Sequence, residues 1–113
     1  MFEYNAIVTH VTDSDTIKVL IDLGFNVTIK QVVRLARIDG YEKTLRNGQT
    51  QAEKNIGIDG MNFLKEQLLN KSVVLKTYKE AGKFGRYIAD VYFKDVCIND
   101  ELVLKKYAIY KDY

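Results

Sequence analysis

At 113 residues the chain has room for one core and not for two, so a single domain over 1–113 is expected, and its hydrophobic fraction of 47% is ordinary for a globular protein. One cysteine, Cys97, and one histidine, His10, exclude an internal disulfide, a thiolate-rich zinc site and a histidine-built metal centre, which leaves oxygen-liking ions such as calcium or magnesium. The net charge of +2 permits nucleic acid as a partner without arguing for it, and no apolar run approaches the roughly 18 residues of a membrane-spanning helix, so no membrane partner is expected.

The N-terminal Met-Phe-Glu-Tyr-Asn lacks the basic start and apolar run of a signal peptide. A cytoplasmic location is therefore expected unless a leader was removed. From Phe2 to Val11 apolar and polar residues loosely alternate, the pattern of a half-buried strand. Asp13-Ser14-Asp15 makes a polar turn, Thr16 to Ile21 resumes the strand, and Asp22 to Asn26 supplies the next turn. Val27 to Ile38 reads as one long third strand, on which Arg34, Ala36 and Ile38 share one face and Val33, Leu35 and Arg37 the other.

Tyr41 to Gly48 has no apolar period and reads as a loop. Thr50 opens a helix, with Glu53 three positions later forming a capping box and Ala52, Ile56, Met61, Phe63, Leu64 and Leu68 in helix-like recurrence. Gly57 and Gly60 inside it each cost about 1 kcal/mol relative to alanine. Ser72 to Tyr78 is a fourth strand, Lys79 to Arg86 a glycine-punctuated basic loop, and Tyr87 to Phe93 a fifth strand with a hairpin at Lys94-Asp95. Asn99 is placed to cap a closing helix through about Tyr107. Three strands, a helix, two strands and a closing helix is the order of a five-stranded Greek-key OB-fold barrel, an α+β but mainly β architecture with its helix between strands three and four. That fold hosts binding and catalysis alike, so function has to come from a site.

Charged residues gather at the strand ends: Asp13 and Asp15 in the first turn, Arg34 late in strand three, Asp39 and Glu42 after it, Lys83 and Arg86 before strand five. Two carboxylates and a cation at a strand end suit a phosphate and a metal, or equally a plain ion pair between Arg34 and Asp39. Arg37 and Arg46 read as solvated or substrate-rim charges, His10 as an ordinary strand residue, and Cys97 as a small buried hydrophobe.

Four motifs in order resemble the staphylococcal nuclease (thermonuclease) family. They are Asp13-Ser14-Asp15-Thr16, the stretch Arg34 to Glu42, Lys83-Phe84-Gly85-Arg86, and Cys97 to Val103. The resemblance implies a calcium-dependent nuclease that hydrolyses DNA or RNA and leaves 3′-phosphates. It implies that Asp15, Asp39 and the Gly40 carbonyl hold calcium, that Arg34 and Arg86 bind the scissile phosphate, that Glu42 orients or deprotonates the attacking water, and that Lys83 holds a terminal phosphate. An aromatic near the basic loop, Phe84 or Tyr113, is suited to stacking on a base of single-stranded or locally melted DNA or RNA. This chain departs from the pattern in carrying Gly40-Tyr41 where the family has a proline-containing pair, and in a longer link from Asp15 to Arg34. The competing expectation is a non-catalytic OB-fold nucleic-acid-binding module, and a monomer is assumed in both.

Overall fold

Alternating burial carries the chain through three antiparallel strands: β1 (Phe2–Asp13), β2 (Thr16–Asp22) and β3 (Thr28–Leu35). Val8 pairs with Val19 and Ile17 with Val33, so each strand turns its branched residues to the same side. The structure is a computed structural model that describes residues 2–41, 50–78 and 87–111. Helix α1 (Gln51–Leu68) leads to β5 (Ser72–Thr77), and β6 (Tyr87–Phe93) follows. The sheet closes when β6 pairs in parallel with β3 through Val33–Tyr87, Arg34–Ile88 and Leu35–Ala89. The result is the expected five-stranded OB barrel, made of β1, β2, β3, β5 and β6.

Val8, Ile17, Val19, Val33, Leu35, Leu75 and Val91 fill the barrel, and Leu64 and Leu68, one turn apart on α1, join the same core. Full burial of each such side chain contributes roughly 1.5–3 kcal/mol. Thr50 caps α1 as expected, its Oγ1 accepting the Glu53 N–H at 3.1 Å. Both helical glycines are buried, and for Gly60 the packing reason is direct, since a Cβ there would stand 3.1 Å from Tyr107 Cβ and 3.2 Å from Ser14 Cβ. Among the described residues, no helix is long and apolar enough to cross a membrane.

Three expectations change. The long third strand is broken, because Arg37 adopts φ +66 and the chain turns between β3 and a short β4 (Ile38–Gly40). Ile38 consequently goes into the core beside Leu35 rather than sharing a face with Arg34. The closing helix is shorter: β7 (Val96–Cys97) leads into α2 (Ile98–Leu104), and the chain then forms β8 (Ala108–Tyr110), which pairs with β4. Asn99 is no cap, since Cys97 occupies that position. Instead Asn99 is fully buried in the first turn, accepting the Val91 N–H at 2.9 Å and donating to the Ala36 carbonyl at 2.9 Å. It satisfies backbone groups that the break between β3 and β4 would otherwise strand. The hairpin at Lys94-Asp95 is as expected, both residues at positive φ in a two-residue turn.

Candidate functional site at the ends of β2 and β3

The β1–β2 turn is two residues long, and it places Asp15 beside the end of β3. Its carbonyl accepts the Leu35 N–H at 2.8 Å, and the neighbouring Thr16 pairs in register with Arg34. Because Val33 and Leu35 point into the barrel, Arg34 points outward, where its Nη2 stands 3.3 Å from Asp15 Oδ2 and 3.2 Å from Asp39 Oδ1. Arg34 Nη1 donates to the Leu35 carbonyl at 2.8 Å, which restrains the plane of the guanidinium. Only 11% of the Arg34 side chain and 14% of Asp15 are exposed, so this attraction is less screened than that of a surface pair.

Asp15 is held on both oxygens. Oδ2 accepts the Gly40 N–H at 3.0 Å and Oδ1 accepts the Thr16 hydroxyl at 3.1 Å. Ser14, buried, donates from Oγ to the Tyr41 carbonyl at 2.8 Å and so ties the β1–β2 turn to the residue that follows β4. Gly40 belongs there because a Cβ would collide with Ser14 Oγ. The residues expected from the sequence therefore divide cleanly. Asp15, Arg34, Asp39 and Gly40 meet at one point, while Glu42, Lys83, Phe84, Arg86, Tyr113 and also Arg46 lie outside the described residues.

One participant escaped the sequence: Lys111 Nζ stands 3.5 Å from Asp39 Oδ2, brought there by β8 pairing with β4. Nothing in its local sequence marks it. Arg37 does more than stand as a solvated charge: 40% of its side chain is exposed, yet it is tied to two acids. Its Nε donates to Asp90 Oδ1 at 3.0 Å and its Nη1 to Asp100 Oδ1 at 3.1 Å, while Tyr78 and Tyr110 donate their hydroxyls to Asp90 at 2.9 Å and Asp100 at 3.1 Å. Burial works against the charge on Arg37, but the bonds to Asp100 and Asp90 outweigh it and raise its pKa. For Asp100, burial alone would raise the carboxyl, yet bonds from Arg37 and Tyr110 hold it below the usual range. This network clamps the turn that precedes Asp39. Cys97 is half-buried beside it, and burial pushes its thiol up. His10 is an exposed strand residue, as expected.

Asp15 and Asp39 present hard oxygens to the same point from two strand ends, which is the donor chemistry of calcium or magnesium. Among the described residues, no group of three histidine, cysteine or acidic side chains forms a metal cluster. A cation held there would draw on the two carboxylates and on backbone and water oxygens.

An outward arginine flanked by two acids at the end of an OB barrel is a charged strand-end site on a fold that hosts binding and catalysis alike. The staphylococcal nuclease homologue family model matches residues 32–113, and the chain belongs to that family. The match begins at Val32, so Asp15 lies ahead of it, and the contacts of Asp15 with Arg34 and Gly40 are what join it to the site. A search of curated proteins gives no match. Family membership points to a nuclease-type or nucleic-acid-related function.

Proposed function

We propose that this chain is a calcium-dependent nuclease that hydrolyses phosphodiester bonds of DNA or RNA by attack of water, leaving 3′-phosphates. The observation that carries the reading is the convergence of Arg34, Asp15 and Asp39 at one strand-end point in a barrel of this family. Arg34 offers forked donors to the phosphate oxygens as negative charge grows on them, a geometry that lysine cannot reproduce. Arg86 is assigned the same task from the motif resemblance. Glu42 is the general base that takes the proton of the attacking water. Lys83 holds a terminal phosphate, and Phe84 and Tyr113 stack on bases. Asp15, Asp39 and the Gly40 carbonyl are the assigned calcium donors, and the bound ion would neutralise charge on the phosphate.

The ion pairs of Arg34 with both acids favour a second reading, a module that binds nucleic acid without cutting it. Labelled single-stranded DNA incubated with calcium, and in parallel with a chelator, separates the two. The nuclease reading expects fragments bearing 3′-phosphates with calcium and intact strand with chelator. A shift in mobility with no fragments in either arm would leave the binding module.

A further inference from the structure

The β2–β3 hairpin runs past the point where the barrel closes, because β3 meets β6 only through Val33, Arg34 and Leu35. Along it Ile17, Val19 and Ile21 face the core, so Lys18 and Leu20 face out; on β3, Lys30, Val32 and Arg34 share that outer side. The register sets Lys18 opposite Val32 and Leu20 opposite Lys30, with Arg34 opposite Thr16 at the site end. Both lysines are exposed. From Arg34 to Lys30 is about 13 Å at about 3.3 Å per residue.

At the far end the Leu23 N–H donates to the Val27 carbonyl at 2.9 Å, and Gly24, Phe25 and Asn26 all take positive φ. Glycine adopts that conformation readily and phenylalanine does not. Phe25 is nevertheless there, at φ +53 and 100% exposed. Its ring borders a groove of about 580 Å³ together with Ile7, Leu20 and Thr28, within the roughly 300–1,000 Å³ of ligand-sized clefts. Asp22 also borders the groove, and its Oδ1 accepts the Gly24 N–H at 2.8 Å.

We propose that the outer face of β2 and β3 is an extended binding track for single-stranded nucleic acid, leading from Arg34 past Lys18 and Lys30 to a base-stacking platform at Phe25. Spaced cations over an apolar floor with an exposed ring at the end follow a sugar-phosphate backbone while offering its bases a surface to stack on. Strands two and three are also the side on which OB barrels take oligonucleotides. The track rests on the proposed function, because it is continuous with the phosphate site at Arg34.

The test measures binding of fluorescein-labelled dT12 and dT3 to the full chain in chelator by anisotropy, with cleavage of dT12 followed separately in calcium. The parent should prefer dT12 to dT3 by at least about tenfold. Phe25→Ala should weaken dT12 binding roughly tenfold and Phe25→Trp should retain it. Removing both lysines in Lys18→Ala/Lys30→Ala should lower the salt slope by about 1.4, at about 0.7 per phosphate contact on single strands. If these variants bind dT12 as the parent does while the parent still cuts, the track is wrong and the nuclease reading stands. If the parent neither binds nor cuts dT12, both fall. Sedimentation showing a dimer that Phe25→Ala dissolves, with dT12 binding unmoved, would give the tip to a second copy of the chain and overturn the track.

Discussion

Arg34 and Asp39 lie on opposite sides of the break between β3 and β4, and their side chains meet at 3.2 Å across it. The same guanidinium nitrogen stands 3.3 Å from Asp15, so one cation holds two acids that belong to different turns. Arg34→Ala should therefore act on stability as well as turnover. Leaving the largely buried Asp15 without this partner should cost about 1–3 kcal/mol. Under the proposed function, loss of a donor to the developing charge should lower kcat by about 10²–10³. Arg34→Lys should recover stability better than turnover, as read by urea melts and steady-state cleavage.

Glu42→Gln tests the assigned base. Removing a general base should reduce kcat by about 10²–10⁴, with the thermal midpoint unchanged. Full activity in this variant would discard the role, and wild-type chain in chelator should match the inactive variant.

Gly40→Ala probes the fit between the β1–β2 turn and the end of β4. Its Cβ would press on Ser14, whose Oγ holds the Tyr41 carbonyl. Overpacking of this kind costs about 1–3 kcal/mol. In a double-mutant cycle Ser14→Gly should partly restore the stability of Gly40→Ala, giving a coupling energy of about 0.5–3 kcal/mol.

Asn99→Ala should rank among the most damaging single substitutions. It leaves the buried Val91 N–H without its acceptor and the Ala36 carbonyl without its donor. The expected loss is roughly 2–4 kcal/mol, read as a lower urea midpoint at constant slope.

Acid should loosen the clamp around Arg37. Asp100 has its folded-state pKa depressed, burial being outweighed by the bonds from Arg37 and Tyr110. The unfolded chain takes up that proton near about pH 4. The group's contribution is thus complete above about pH 4 and is lost as pH falls through the lower folded value. Asp100→Asn should show a smaller drop in urea midpoint between about pH 5 and about pH 2 than the parent. Tyr78 behaves in the opposite sense: burial and its bond to Asp90 raise its hydroxyl, so that contribution is present below about pH 10 and lost as pH rises through the folded value.

Much of this protein was written locally. Alternating apolar residues in β1 and β2, the Thr50 cap of α1 and the Lys94-Asp95 hairpin follow from strand period, capping chemistry and turn conformation, each of which acts over a few neighbouring residues. Arg34, Asp15 and Asp39 were legible as charged residues at strand ends. That they share one point was implied by the motif resemblance and not by any local pattern, because the meeting depends on the β2–β3 register and on the turn at Arg37. Lys111 and the buried bonds of Asn99 were invisible for the same reason: β8 reaches β4, and α2 reaches the broken strand, only through contacts dozens of residues apart in the chain. Local preferences select elements, whereas the demand that every buried polar group find a partner decides how a folded chain bends and which distant side chains it brings together.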